Sequence, residues 1–68
     1  MNEKLFKSFM AKYGDTQESL AAALGISRSR LNSKIKGKEA SFRQNEIGAI
    51  KQRYHMSADD VDSVFFAS

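Results

Sequence analysis

The spacing of apolar residues along this chain is helical from one end to the other. In the first segment the apolar positions recur at helical intervals and form one face, made of Leu5, Phe6, Phe9, Met10 and Tyr13. No stretch alternates apolar and polar residues in the manner of a half-buried strand. The pattern therefore predicts an all-α fold.

Short local signals divide this pattern into five predicted helices. Three glycines follow apolar stretches, where a left-handed residue ends a helix at no steric cost: Gly14, Gly25 and Gly37. Capping residues are predicted at Asp15 or Thr16, with Glu18 three residues after Asp15, and at Ser27 and Ser57. The remaining helix is predicted over roughly residues 43–55, and His55 at its end is expected to act as a structural cap.

Each later helix has its own inward-facing residues. These are Leu20, Ala21 and Leu24 in the second helix, Leu31 and Ile35 in the third, Ile47, Ile50 and Tyr54 in the fourth, and Val61, Val64 and Phe65 in the fifth. Phe42, which follows the loop "KGKEAS", is expected to plug the core. Short connections between helices predict a compact five-helix domain that covers residues 1–68.

The second and third helices are joined by only three residues, "GIS". Gly25 permits a sharp turn, Ile26 can enter the core as a wedge, and Ser27 starts the next helix. Two helices that cross steeply through so short a turn form a helix-turn-helix, which presents its second helix outward.

The charge of the chain is concentrated around that second helix. The net charge is +3, but residues 28–43 contain six basic residues and one acid, Glu39, so this segment carries +5 and the rest of the chain −2. A basic segment on a slightly acidic body favours a polyanionic partner over a solvated face of mixed charges.

The outward side chains of the third helix suit double-stranded DNA. An α-helix fits the major groove, where Arg pairs with guanine, Asn pairs with adenine, and Ser pairs with either. Arg28, Ser29, Asn32 and Ser33 share its N-terminal face, and we predict that they read base edges. The alternative is an exposed polar face that contributes only stability, for which Ser and Asn are poor helix residues.

The stretch "TQESLAAALGISRSRLNSKIKGK" resembles the helix-turn-helix of lambda-repressor-like, Cro-type phage regulators. The continuation "SFRQNEIGAIKQRYHMSADDVDSVFF" is similar to small regulators of Gram-positive temperate phages and prophages. The resemblance covers about residues 5–66. It implies a lambda-repressor-like fold, a double-stranded DNA operator as the partner, and a location in the bacterial cytoplasm, associated with the nucleoid.

The resemblance also implies roles for individual residues. Thr16 and Gln17 would bind a phosphate at the start of the second helix. Arg28 and Ser29 would contact base edges, followed one turn later by Asn32 and Ser33. Contacts with the DNA backbone would come from Arg30, Lys36, Lys38 and Arg43. The chain departs from the family at Lys34, where relatives often carry an apolar residue, and at Arg43, where relatives tend to carry a capping Thr or Ser. Lys34 could reach a phosphate or stay solvated, and the fourth helix could start from Ser41.

The last helix suggests a second copy of the chain as a partner. Phe66 points about 100° away from Phe65 on this helix, so it either covers the core or contacts another subunit. The resemblance favours a weak homodimer, with Phe66 as the dimerisation residue.

Other chemistry is not expected from this sequence. It has no cysteine, one histidine and no apolar run that resembles a signal peptide or a membrane span. No catalytic constellation is visible, so we expect no enzyme activity, no metal, no cofactor and no small-molecule substrate. The leading interpretation is a small repressor that occludes a promoter. The alternatives are an antitoxin that regulates its own gene and a helical adaptor that binds another protein.

Overall fold

In the computed structural model the described residues, 1–38 and 41–66, form five α-helices and no strand. The helices are α1 (Glu3–Lys12), α2 (Gln17–Leu24), α3 (Arg28–Lys36), α4 (Gln44–Arg53) and α5 (Ala58–Val61). A π-helical turn, Asp62–Phe66, continues directly from α5. The all-α prediction is confirmed. Glu39, the one acid of the basic segment, lies outside the described residues.

Hydrogen bonds between near neighbours start these helices where the sequence predicts them. The hydroxyl of Ser27 accepts the backbone N–H of Arg30 at 3.0 Å, which caps α3. Ser57 accepts the N–H of Asp60 at 3.0 Å, and the Asp60 carboxylate accepts the N–H of Ser57 at 3.0 Å. Both predicted caps are therefore confirmed, because each needs only residues three positions apart.

Of the two caps predicted for α2, Thr16 is the one that forms. Its hydroxyl accepts the N–H of Ser19 at 3.1 Å, and the Ser19 hydroxyl accepts the N–H of Thr16 at 2.9 Å. Ser19, and not Glu18, is therefore the reciprocal residue of this capping box. Asp15 is left for a different contact, described below.

The start of α4 differs from the alternative that placed it at Ser41. Arg43 is the N-cap residue and the helix begins at Gln44. Arg43 has no side-chain oxygen with which to cap a helix, and the Glu46 carboxylate instead accepts the Arg43 N–H at 2.8 Å. Glu46 thus satisfies the N–H of the N-cap residue, and the bond that a Thr or Ser hydroxyl would accept from the first turn is not made by Arg43.

At the end of α4, His55 contributes through its backbone. Its φ is +49°, in the left-handed region where a side chain is disfavoured. This conformation lets the N–H of Met56 reach the carbonyl of Lys51 at 2.9 Å and so closes the helix. His55 therefore lies at the end of α4 as predicted, and it helps to end the helix through its backbone conformation. Glycine is the usual residue at such a position.

All five helices or their ends contribute to one hydrophobic core. Its buried residues are Phe6, Met10, Leu20, Ala21, Leu31, Ile35, Ile50, Tyr54, Met56 and Val64. Phe42 packs against this core as predicted, stacked on Phe6 with ring centroids 5.6 Å apart. Two residues predicted to face inward do so only in part: Tyr13 is 41% exposed, although its ring stacks on Tyr54, and Ile47 is half-buried.

Candidate nucleic-acid interface

The turn between α2 and α3 holds the two helices against each other. Gly25 has a φ of +70°, which costs glycine nothing, and donates its N–H to the carbonyl of Ala22 at 3.2 Å. Ile26 donates to the carbonyl of Ala21 at 3.0 Å and packs its side chain against the core. The turn therefore fixes how α3 leaves α2, and Ile26 acts as the predicted wedge.

The core divides α3 into two faces. Leu31, Lys34 and Ile35 are buried, and the opposite side of the helix is open to solvent. The exposed residues are Arg28, Ser29, Arg30 and Lys36, and the half-buried residues are Asn32 and Ser33. Among the α-helices that the structure describes, α3 is the one with no acid in its first turn.

Three of the four predicted base-reading residues lie together beside α2. Arg28, Ser29 and Asn32 line one shallow depression on the surface, and Gln17 from the start of α2 forms its other wall. Ser33 follows Asn32, points about 100° away from it around α3, and does not line this depression. The depression combines a guanidinium, a hydroxyl and two carboxamides, all of which form hydrogen bonds with base edges or phosphates.

The two residues predicted to bind a phosphate at the start of α2 differ in what they can offer. Thr16 uses its N–H and its hydroxyl oxygen in the capping box with Ser19. The backbone N–H groups of Gln17 and Glu18 lie in the first turn, where an α-helix provides no carbonyl partner. An anion at this end would therefore meet the Gln17 amides more readily than Thr16, and it would also meet the exposed Glu18 carboxylate.

Asp15, just before α2, is held by residues at the end of α4. Arg53 donates to its carboxylate from Nε at 2.7 Å and from Nη2 at 3.0 Å, and the Tyr54 hydroxyl donates at 2.6 Å. The Ser19 hydroxyl also donates to this carboxylate. The Asp15 side chain is only 6% exposed. These bonds fix the start of α2 to α4 and neutralise an acid close to Gln17.

The same contacts change the acidity of two groups. Hydrogen bonds from Arg53 lower the pKa of Asp15 well below its usual range, and those from Ser19 and Tyr54 lower it further. Burial raises the pKa of the Tyr54 hydroxyl above its usual range, and the hydrogen bond to Asp15 raises it further. The cluster therefore contains an ionised carboxylate and a neutral phenol over the physiological range of pH.

The predicted backbone-contacting residues form an exposed basic surface. Arg30, Lys36, Lys38 and Arg43 are all exposed. Within residues 1–38 and 41–66 the ion pairs involve other cations: Lys7 with Glu3, Lys34 with Glu46, and Arg53 with Asp15. Lys36 lies near α1, where its charge adds to a lowering of the Glu3 pKa that comes first from the hydrogen bond and charge of Lys7.

Lys34 does not belong to this basic surface, and neither of the two roles left open for it applies. It is 2% exposed, and its Nζ donates to the Glu46 carboxylate at 2.9 Å and to the carbonyl of Ser41 at 3.2 Å. Its positive charge is therefore matched inside the protein, and the exposed cations of the segment number five instead of six.

Sequence reasoning missed both charged clusters, although one of them left a signal. Lys34 lies three residues after Leu31 and Glu46 lies four residues before Ile50, so helical spacing places both on inward faces. Two opposite charges on inward faces suggest a buried pair. Asp15 and Arg53 are 38 residues apart and nothing in their local sequence links them.

An exposed apolar surface lies beside a groove to which Lys34 contributes. Phe66 is 66% exposed and Met1 is 38% exposed. The groove beside them is lined by Met1, Lys34, Gly37, Ser41, Phe42, Ile47, Phe65 and Phe66. The predicted dimerisation residue is therefore accessible, and an apolar groove adjoins it.

The side chains and helices of the described ranges also bear on metal binding and on membrane insertion. No group of three or more His, Cys, Asp or Glu side chains there is arranged to hold a metal ion. None of the helices in these ranges has the length and apolar character that crossing a membrane requires.

Comparisons with protein-family models, with curated proteins and with solved structures gave no match to this chain. The interpretation of the α2–α3 surface therefore rests on its residues and their geometry.

Proposed function

We propose that this protein is a sequence-specific DNA-binding regulator of transcription, in which α2 and α3 act as a helix-turn-helix. One observation carries the proposal. Arg28, Ser29 and Asn32 lie on the exposed side of α3 in a common depression with Gln17, and exposed cations flank them. A surface made for stability alone would mix its charges and would carry an acid at the start of α3.

The fit of an α-helix in the major groove of DNA, together with the hydrogen-bonding groups of the bases, suggests a role for each residue. With α3 in the major groove, Arg28 at its N-terminus would donate two hydrogen bonds to O6 and N7 of guanine. Asn32, one turn later, would pair with N6 and N7 of adenine. Ser29 and Ser33 complete the face that meets the bases, because a hydroxyl can donate or accept.

The contacts with phosphates would come from the residues around this face. Accessible groups lie at the start of α2 (Gln17), on α3 itself (Arg30 and Lys36) and in the segments after it (Lys38 and Arg43). Thr16 remains part of the proposal as the residue before Gln17, and its N–H and hydroxyl both bond Ser19 in the free protein. The resemblance to Cro-type regulators supports a repressor that occludes a promoter. It also supports a weak homodimer through Phe66 on a pseudo-palindrome with half-sites about one helical turn apart.

The proposal is tested by DNA selection followed by salt titration. A randomised duplex pool is selected on the purified protein, and affinity for the enriched duplex and for a scrambled one is measured from 50 to 200 mM salt. Release of counterions from several phosphates should weaken binding of the enriched duplex by about a hundredfold or more over this range. A pool that is not enriched, or an affinity that does not change with salt, would contradict the proposal.

A second candidate function is supported by the apolar groove beside Phe66. A helical adaptor would use such a groove to bind the apolar face of another protein. The exposed Phe66 and Met1 favour this candidate, but the cations around α3 would then have no role. The adaptor would be favoured if the protein bound a different protein in the absence of DNA and lost this binding when Phe66 was replaced.

A further inference from the structure

A pair of opposite charges lies buried between α3 and the start of α4. Lys34 and Glu46 are 2% and 7% exposed, and Nζ of Lys34 lies 2.9 Å from Oε1 of Glu46. The same carboxylate oxygen accepts the N–H of Arg43 at 2.8 Å, and Nζ of Lys34 also donates to the carbonyl of Ser41 at 3.2 Å. One side chain of α3 is thus bonded directly to Ser41, and to Arg43 through the shared carboxylate of Glu46.

Stability alone does not explain this pair. Removing two charges from water is costly, and apolar residues of similar size give a buried contact of equal or greater stability. The neighbouring inward residues of α3, Leu31 and Ile35, are apolar. What the pair supplies and an apolar contact lacks is direction, because hydrogen bonds hold their partners within a narrow range of distances and angles.

The bonds of the pair hold together two parts of the basic surface. Lys34 lies in the last turn of α3, where Lys38 follows, and its partners lie at Ser41 and Arg43. Lys38 is tied to α3 by its own N–H, which donates to the carbonyl of Ser33 at 3.1 Å. Arg43 is held to α4 by its N–H, which donates to Glu46, and by its carbonyl, which accepts the Ile47 N–H at 2.9 Å. Within the described residues, its hydrogen-bonded link to α3 runs through Glu46 and Lys34.

We propose that Lys34 and Glu46 are positioning residues that hold Arg43 and the segment 41–43 at a fixed place relative to the exposed face of α3. The effect of this restraint on DNA recognition rests on the proposed function. A phosphate contact from Arg43 fixes the register of base contacts from α3 only when the two cannot shift against each other.

The test uses a variant that removes both charges and keeps the shape of the pair. In K34M/E46Q the Gln carbonyl can still accept the Arg43 N–H, and the net charge of the protein is unchanged. The matched control is K7M/E3Q, which makes the same two replacements at the exposed pair of α1, where Lys7 and Glu3 are 3.0 Å apart. Non-specific attraction to DNA is therefore equal in the parent and in both variants.

The first measurement needs no DNA. Amide hydrogen exchange is followed by NMR at Arg43 and at Tyr54, whose N–H bonds the carbonyl of Ile50 at 3.0 Å and serves as the core reference. Loss of a charge-assisted restraint should speed exchange at Arg43 by about tenfold or more in K34M/E46Q, with little change at Tyr54. An unchanged rate at Arg43, or the same acceleration at both amides, would overturn the proposal.

The second measurement asks whether the restraint affects recognition. The ratio of affinities for the selected duplex and a scrambled duplex should fall by about tenfold in K34M/E46Q and stay at the parent value in K7M/E3Q. An unchanged ratio with faster exchange at Arg43 would overturn the role in recognition. If the parent selects no duplex, the proposed function fails, and the exchange rates alone decide whether the pair positions this segment.

Discussion

The guanidinium of Arg53 holds the carboxylate of Asp15 with two hydrogen bonds, at 2.7 and 3.0 Å, across 38 positions of the chain. Asp15 precedes the N-cap of α2, and Arg53 is the last residue of α4. The Tyr54 hydroxyl adds a third bond, at 2.6 Å. The start of α2 is therefore anchored by a fork of parallel bonds, a geometry that Lys cannot reproduce.

Replacing Arg53 should destabilise the protein through this carboxylate. Arg53→Ala leaves the Asp15 charge nearly buried without its main donor, and the free energy of unfolding should fall by about 1.5–3 kcal/mol. Arg53→Lys should lose less, because it keeps the charge without the fork. Lys51→Ala on the same helix is the control and should stay within about 0.5 kcal/mol of the parent in urea denaturation. Equal effects at residues 51 and 53 would contradict the anchoring role.

The same carboxylate should make stability depend on acid. The pKa of Asp15 is lowered in the folded protein, so its ionised form is stabilising above the ordinary Asp value of about 3.9, and this stabilisation is lost as the pH falls below that value. Asp15→Asn should therefore flatten the fall in stability between about pH 5 and 2. Part of the fall should remain because the pKa of Glu46 is also lowered: burial raises it, and the hydrogen bonds and charges of Arg43 and Lys34 together lower it further than burial raises it. Urea midpoints measured across this range check the prediction, and identical profiles would refute it.

Two glycines should respond in opposite directions to the same substitution. A Cβ added at Gly48 or at Gly25 meets nothing within 4 Å, but Gly25 has a φ of +70° and Gly48 lies inside α4. Gly48→Ala should raise the free energy of unfolding by about 0.5–1 kcal/mol, since alanine favours a helix. Gly25→Ala should lower it by about 1–2 kcal/mol, since a side chain disfavours the left-handed conformation. Thermal melts of both variants test the sign of each change in stability. The two sites have equal space for a methyl group, so the sign depends on the backbone conformation.

Two cations of α3 should separate base reading from phosphate binding. Arg28→Ala should weaken binding of the selected duplex by about 1–3 kcal/mol and relax preference at one base position. Lys36→Ala, at the other end of the helix, should weaken selected and random duplexes alike and reduce the salt slope by about one unit. Both residues are exposed, so both variants should melt near the parent. If Arg28→Ala weakens both duplexes equally, Arg28 contacts a phosphate, and base reading must come from Ser29, Asn32 or Ser33.

The exposed Phe66 should control self-association. Its side chain is 66% exposed beside an apolar groove, so Phe66→Ser should weaken a dimer by at least about tenfold without unfolding the monomer. Phe66→Leu keeps an apolar side chain and should associate nearly as the parent does. Sedimentation of all three proteins, free and with the selected duplex, makes the comparison. Equal assembly of the parent and Phe66→Ser would remove this residue from any interface.

The helices were predictable because their signals are local. Ser27 and Ser57 cap their helices through bonds to residues three positions away, and apolar spacing identified Phe6, Leu31 and Ile50 as core residues. At the helix starts the prediction was less complete. Either Asp15 or Thr16 could cap α2 by local signals. Thr16 does so, and Asp15 instead binds Arg53, which lies 38 positions away in the sequence.

The candidate surface was predictable in its outline but not in its charge. The short turn and the glycine at residue 25 indicated which helix would be exposed, and Arg28, Ser29 and Asn32 do lie together. Counting basic residues along the sequence included Lys34, which is buried against Glu46. Whether a cation faces water or a buried carboxylate depends on how two helices pack, and a charge count along one segment does not contain that information.

The first turn of α3, with Arg28 and Arg30 and no acid, sets stability against the proposed binding of DNA. Cations at the positive end of a helix dipole are destabilising, and an acid placed there contributes about 0.3–1 kcal/mol in the opposite direction. A library randomised at positions 28–30 and selected only for heat resistance should therefore accumulate acidic residues, as sequencing would reveal. Proteins that keep the parent residues should instead gain heat resistance when a polyanion is added, because a ligand that binds only the folded state raises its melting temperature.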